Sequence, residues 1–311
     1  MDLGIAVISY NTRELTARCL AAAYAAIAAA GLDAHVWVVD NASTDGSASH
    51  LAAVFPQATL IASDTNLGFA GGNNAALRAM AALDTPPRYL MLLNSDALVE
   101  RDSLGRMVAF LDANPRVGVA GAQLAYGDGG FQHGAFHFPT LLMAAFDFWP
   151  PHNRLIDSRL NGRYRRARYA AGLPFPIDHP LGAALMMRWE TFAQVGPLDE
   201  GYFMYCEEID WCFRVKDAGW SIYCVPQARV VHLGGQSARQ FREAMYLALW
   251  RSRFRLFARH YSPAYRLLVR GIVRAGMAAE ARRVRRAQRD GLLDDAEAER
   301  RLATYRAVGA L

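Results

Sequence analysis

The chain has 311 residues, 53% of them hydrophobic, enough for one large α/β domain or two small ones, so disorder along the whole chain is excluded. The formal charge of +5 is unevenly spread: residues 236–311 hold 17 Arg against 7 Asp or Glu and stand at +10, leaving −5 for the rest. Such a basic segment attracts phosphates, whether on nucleic acid, anionic lipid or a lipid diphosphate. Cys19, Cys206, Cys212 and Cys224 form no CxxC pair and no dense framework, which argues against zinc and disulfides and suits reduced thiols in a cytosolic protein.

The first apolar run, residues 3–8, is too short for a signal peptide and lacks its basic flank, so it is predicted to be a strand. An alanine-rich helix follows at 14–30. The longest uncharged apolar stretch, 19–32, falls short of the roughly 18 residues needed to span a bilayer, so a soluble or surface-bound protein is expected. Strands at 34–39, 59–62, 88–93 and 117–120 then alternate with helices at 47–55, 70–83 and 103–112. This alternation predicts an α/β fold: an open, mostly parallel, Rossmann-like sheet with helices on both faces. Ligands bind such sheets beyond the carboxyl ends of the strands, where Tyr10-Asn11, Asp40-Asn41, Asp64 to Asn66 and Asn94 to Asp96 all fall.

Residues 123–180 loosen into glycine and proline turns with a charged patch from Arg163 to Arg168, an insertion expected to face the acceptor. Regular elements resume with a strand at 182–188, a short helix near Glu190, a helix at 207–218 and strands at 221–225 and 229–232. Two long basic helices, 238–259 and 263–289, and an acidic-basic end complete the chain. The expected organisation is a catalytic domain over 1–235, divided at 121/122, and a basic helical extension over 236–311.

Val38-Val39-Asp40 ends a hydrophobic strand in a carboxylate, ahead of Ser43 and Asp45, either of which can cap the next helix. Asp40 stands before the cap, where it can accept a hydrogen bond from the imide nitrogen of uracil or thymine. The run from Asn66 to Asn74 supplies glycines for close backbone approach and a helix N-terminus that favours negative charge. Its spacing is neither a Walker loop nor GxGxxG, and helix–sheet packing explains the glycines about as well. Leu90 to Leu93 run directly into Asn94-Ser95-Asp96, which brings Asp96 to the ligand edge. Magnesium and manganese accept such hard oxygen ligands with one or two carboxylates plus substrate phosphates; a helix cap is the plain alternative.

Glu207, Glu208 and Asp210 crowd three acids into four positions. Repulsion raises at least one pKa, which suits a proton acceptor, while compensation of a helix's positive end is the competing explanation. Asp210 and Arg214 have the i, i+4 spacing of a structural ion pair. His232 closes an apolar strand before a glycine turn and reads equally as a structural residue or as part of a metal site.

Taken in order, these motifs resemble the family 2 inverting glycosyltransferases of the GT-A fold, in particular their rhamnosyltransferase-like members. Val7-Ile8-Ser9-Tyr10-Asn11 is similar to the family's first strand and its Ser-Tyr-Asn end. Residues 40–47 match Asp-Asn-x-Ser-x-Asp-x-Ser, and residues 66–74 match Asn-x-Gly-Phe-Ala-x-Gly-Asn-Asn. Asn94-Ser95-Asp96 stands where the family has Asp-x-Asp or Asn-Pro-Asp, and residues 205–214 resemble Tyr-Phe-Glu-Asp-x-Asp-x-Cys-x-Arg. The ordered set covers residues 3–237.

The resemblance implies transfer of a sugar from a UDP- or dTDP-sugar to a glycan or lipid-linked acceptor in cell-envelope polysaccharide synthesis. Ser9, Tyr10, Asn11, Asp40, Asn66, Asn74, Asn94 and Ser95 would line the donor site, with Asp40 at the base. Asp96 would hold Mg2+ or Mn2+, His232 would complete the metal site as in some relatives, and Glu208 would deprotonate the acceptor hydroxyl. Two positions depart from the family pattern. Asn94 replaces an acid of many members, leaving Asp96 the main carboxylate ligand, and Glu208 is one methylene longer than the usual aspartate, which leaves Glu207 a rival base.

A nucleotidyltransferase would carry a glycine-rich basic loop after the first strand, which Tyr10-Asn11-Thr12-Arg13 does not supply. Joint retention of Asp96 and Glu208 argues against a catalytically silent nucleotide-sugar-binding or envelope-assembly protein. On the helix at 263–289, Leu267, Leu268, Ile272 and Val273 interleave with Arg266, Arg270 and Arg274, spacing that fits an amphipathic helix on anionic membrane. A solvated helix packed on the catalytic domain, or a homo-oligomer contact, fits it equally. The basic region lacks a nucleic-acid reading motif, so no nucleic acid is expected. The location implied is cytoplasmic, peripheral to the inner face of the cytoplasmic membrane.

Overall fold

The computed structural model describes residues 1–234 and 242–311. Its first half is a run of β-α units: β1 (Leu3–Ser9), α1 (Arg13–Ala30), β2 (Ala34–Asn41), α2 (Ser47–Val54), β3 (Thr59–Ser63), α3 (Gly68–Ala81), β4 (Tyr89–Asn94), β5 (Ala97–Val99), α4 (Ser103–Ala113) and β6 (Val117–Ala125). Strands β1 to β4 pair in parallel in the order β3-β2-β1-β4, so Ser9, Asn41, Ser63 and Asn94 finish on one edge. Side chains alternate across a strand, and each face finds its own helices. Leu3, Ile5 and Val7 of β1 pack with Leu20 of α1 and Met107 of α4, while Ala6 packs with Val39 of β2 and with Leu77 and Met80 of α3.

The expected loose region contains β7 (Phe131–Gln132), β8 (Ala135–Phe136), α5 (Leu141–Phe146), α6 (Asn153–Ile156), α7 (Arg166–Ala170), β9 (Phe175–Pro176) and β10 (His179–Pro180). Then come β11 (Ala184–Arg188), α8 (Trp189–Val195), α9 (Glu207–Asp217) and β12 (Ser221–His232). The main path of the sheet is β3-β2-β1-β4-β11-β6-β12-β5. Strand β11 is antiparallel to both β4 and β6, which the local sequence does not signal. Its direction brings Gly182 and Ala183 to the edge where β4 ends, with Asn94 N donating to Ala183 O at 3.0 Å. The two strands expected at 221–225 and 229–232 are one strand, interrupted in register between Val225 and Arg229, where Pro226 cannot donate to the ladder. The expected division at 121/122 falls within β6, and the one at 235/236 lies outside the described residues.

Three helices follow: α10 (Arg242–His260), α11 (Pro263–Arg289) and α12 (Asp295–Gly309). The expected start of the first, at 238, lies outside the described residues. Ser262 caps α11 with Pro263 behind it, and Asp294 caps α12, a helix not foreseen in the acidic-basic end. The three bury Trp250, Phe257, Val273 and Val308 against Phe148, whose ring stacks on Trp250 with centroids 5.4 Å apart. Val273 is thus core and Ile272 partly buried, while Leu267 and Leu268 are 74% and 56% exposed, so the apolar stripe of α11 divides between two faces. Among the described residues no helix is long and apolar enough to cross a membrane. All four cysteines are buried free thiols.

Candidate active site

The register pairs Ser9 with Asp40, which sets that buried carboxylate at the mouth of β2. Asp40 Oδ2 accepts from Ser43 N at 3.0 Å, whereas Asp40 Oδ1 is buried without a partner. A buried acceptor left unpaired is costly, and an imide N–H would satisfy it. Asn11 builds the surrounding loop: its φ of 51° turns the chain, its N donates to Ser43 Oγ, and its Oδ1 accepts from Thr44 N at 2.8 Å. Ser9, Thr12, Thr16 and Ser95 form a buried chain of hydroxyls below the same edge. Asn11, Ser9 and Ser95 therefore brace the cleft through these bonds, and Tyr10 lies half-buried between them. Neither expected residue caps α2: the N-cap is Gly46, which makes no side-chain cap bond, and Asp45, one residue earlier, accepts from Ser47 N through Oδ1 at 3.0 Å.

Asn66 and Asn74 are similarly committed. Asn66 Oδ1 accepts from Asn41 Nδ2 and from Gly68 N, fixing the turn into α3. Gly68 has φ +71°, and a Cβ there would strike the carbonyl of Phe203, so only glycine fits. Asn74 donates to Leu198 O and Glu200 Oε1 and accepts from Leu198 N, clamping α3 to the segment that leads into α9. Both ends of its amide are used in this clamp.

Short strand β5 explains how Asp96 and His232 meet. It runs antiparallel to the end of β12, with Ala97 opposite His232, and Leu233 N extends the ladder to Asp96 O at 2.9 Å. Both side chains are buried, with His232 Nε2 3.4 Å from Asp96 Oδ1. Behind the imidazole, Gln132 Nε2 lies 3.2 Å from Nδ1, and Gln132 Oε1 has no partner. With its amide turned over, Gln132 would accept the Nδ1 proton and leave the Nε2 lone pair for a ligand. Sequence reading missed Gln132 because its only signal is a two-residue hairpin strand, β7, laid against β6. Asn94 Oδ1 is also buried and unpartnered at this edge. An aspartate oxygen and an imidazole nitrogen suit a small divalent ion, and among the described residues no group of three His, Cys, Asp or Glu forms. Diphosphate oxygens or water would have to fill the other positions.

Helix α9 begins after two consecutive left-handed residues, Tyr205 at φ 72° and Cys206 at φ 67°, strain of the kind found at functional sites. It delivers Glu207 and Glu208 into buried positions, each with an unpartnered Oε2. Burial pushes Glu208 up to about 7, opposed by the backbone amides of Glu208, Ile209 and Gly182 that face its charge. Burial, and then the neighbouring Glu208, push Glu207 well above the usual carboxylate range. Asp210 is fully buried and does different work. The expected pair with Arg214 forms at 3.0 Å, but His260 Nε2 at 2.8 Å and Arg259 at 3.3 Å also converge on it, locking α10 to α9. Arg255 and Arg259 add bonds to Asp199 at 2.8 Å, so this part of the basic tail is spent on internal pairing.

An α/β sheet whose ligand edge gathers Asp40, Asp96, His232 and a buried carboxyl pair defines a GT-A glycosyltransferase. The chain belongs to glycosyl transferase family 2, whose model matches residues 4–180, more than half its length. It is similar to the N-acetylglucosaminyl-diphospho-decaprenol L-rhamnosyltransferase of Mycobacterium tuberculosis, 28% identical over 254 residues, 78% of this chain and 80% of the relative. A shorter match, 35% identical over 83 residues, links 27% of the chain to 31% of the rhamnosyltransferase WbbL of Escherichia coli. In fold it resembles the mannosyltransferase PcManGT of Pyrobaculum calidifontis, solved with GDP-Man and Mn2+: TM-score 0.56 and 18% identity, across 99% of this chain and 86% of that one.

Proposed function

We propose that the chain transfers a rhamnosyl group from a dTDP- or UDP-sugar to the sugar of a lipid-diphosphate-linked acceptor in cell-envelope polysaccharide synthesis, inverting the anomeric carbon. The observation that carries this is Glu208, a buried carboxyl with an unpartnered oxygen and a pKa near 7, on the sheet edge that also holds Asp96 and His232. The names of the mycobacterial and E. coli relatives support the sugar, and the first supports the acceptor class.

In this reading Asp40 Oδ1 accepts a hydrogen bond from the imide N–H of the base, which leaves its buried oxygen paired. Glu208 accepts the acceptor hydroxyl's proton while that oxygen bonds to the anomeric carbon and the bond to the diphosphate breaks. Glu208 is preferred to Glu207 because three backbone amides favour its charged form, whereas Glu207 has only its own amide and a neighbouring charge that opposes ionisation. Asp96 and His232 would hold Mg2+ or Mn2+, with Gln132 orienting the imidazole. When bound, such an ion supplies positive charge against the departing diphosphate.

Peripheral membrane contact belongs to the same reading. Leu267 and Leu268 are exposed next to Arg270, supporting a seat for α11 on anionic lipid. Leu267→Glu with Leu268→Glu should abolish co-sedimentation with anionic liposomes, and unchanged sedimentation would count against it.

Nucleotide release from dTDP-rhamnose and UDP-sugars, with and without Mn2+, tests the catalytic assignment. Glu208→Gln should retain donor binding and lose turnover, and Asp96→Asn should lose its response to Mn2+. Near-normal rates in the first variant, or unchanged metal dependence in the second, would overturn the corresponding role.

A further inference from the structure

A hollow of about 920 Å3 reaches Tyr205, two residues ahead of Glu207, and none of the donor contacts above uses it. Its inner end is formed by Tyr205, just ahead of Glu207-Glu208, and by Gly234, two residues beyond His232. Burial, and then the Glu207 charge, raise the Tyr205 phenol. The outer walls come from α10, through Arg242 and Tyr246, and from α12, through Arg301 and Tyr305. Strands β1 to β3 and their loops, which hold Asp40, contribute nothing to its described lining.

The lining has the chemistry of a saccharide site. Tyrosines offer apolar ring faces with polar edges, and the arginines offer donors to hydroxyls and phosphates. Tyr246 and Tyr305 stand with centroids 6.0 Å apart and planes at 66°, forming a corner. Of the three acids in the lining, Asp147 is neutralised by Arg253 at 2.5 Å and Glu280 by Arg283, which leaves Glu243, next to Arg242, as the one acid that opposes a phosphate with no partner among these arginines. Arg301 pairs with Glu297, and a guanidinium with five N–H groups keeps donors to spare.

We propose that this hollow is the acceptor site, taking the terminal sugar and diphosphate of the acceptor, and that the C-terminal helices form most of its outer wall. The inference rests on the transferase reading above and gives that reading's second substrate a place. It shifts the acceptor-facing role from the insertion at 123–180, which contributes Asp147, to α10 and α12.

The test uses the whole chain with dTDP-rhamnose, Mn2+ and a water-soluble probe, N-acetylglucosaminyl diphosphate bearing a short prenyl chain. Thr304→Trp fills the hollow from half-buried Thr304, and Arg242→Ala removes an exposed cation without touching the core. Both should raise the probe's KM by roughly tenfold or more, equivalent to about 1.4 kcal/mol, while the Kd for dTDP and the unfolding transition stay at wild-type values. An unchanged probe KM in both variants, with the wild type transferring, overturns the hollow as acceptor site and leaves the transferase reading standing. Parallel losses of dTDP and probe affinity also overturn it, because the effect is then global. A wild type that transfers to no such probe removes the reading beneath it.

Discussion

Replacing Glu208 with glutamine should stop turnover and, above neutral pH, stabilise the fold. Burial raises the Glu208 carboxyl from its ordinary 4.5 to about 7. Between those values the folded chain keeps a proton that the unfolded chain has released, so stability falls as pH rises across this window. Below it both states are protonated and the penalty is absent; above it the penalty is complete. At about 1.4 kcal/mol for each pH unit, the window corresponds to on the order of 3 kcal/mol. Glutamine keeps the side chain's shape and never ionises. Urea unfolding of both proteins should therefore agree at about pH 4 and diverge toward about pH 8, with Glu208→Gln more stable by up to roughly 3 kcal/mol. Glu207 remains in both, but glutamine at 208 removes the charge that helps to raise it, which shifts stability in the same direction. Stability curves that stay parallel from about pH 5 to about pH 8 would refute a buried, destabilised base at this position.

The same group should shape the rate. Below about 7, kcat/KM should fall about tenfold per pH unit as Glu208 is protonated, and a flat profile through neutrality would contradict its role. Asp40→Ala should weaken dTDP or UDP binding by about 2 kcal/mol, roughly thirtyfold, in calorimetry; unchanged affinity would remove Asp40 from the base contact. Asp210→Ala leaves Arg214 and His260 facing no carboxylate and Arg259 with Asp199 alone, and should cost about 3–5 kcal/mol in urea unfolding. A loss under about 1 kcal/mol would mean that α10 is held mainly by its apolar face.

Much of the site was legible because strand ends write themselves into local sequence. Apolar runs that stop at a carboxylate located Asp40 and Asp96, and three acids opening a helix located Glu207, Glu208 and Asp210. The Asp210–Arg214 pair followed from helical spacing alone. Long-range pairing was not legible. Nothing near Asp210 announces His260, fifty positions away, or that Gln132 of a hairpin strand would back His232. Asn66 and Asn74 fit a family motif by identity, yet their amides are consumed by Asn41, Gly68, Leu198 and Glu200, partners visible only once α3 meets the approach to α9. The antiparallel setting of β11 was hidden for the same reason: an apolar run looks alike in either direction.

Transfer itself is the most direct measurement of whether this edge works as an inverting rhamnosyltransferase site. The purified chain would be incubated with dTDP-rhamnose, Mn2+ and the prenyl diphosphate sugar, and the product's anomeric configuration read by NMR. A disaccharide product with configuration opposite to the donor's, absent with Glu208→Gln, is the predicted result. Retained configuration, or nucleotide release without any disaccharide, would contradict it.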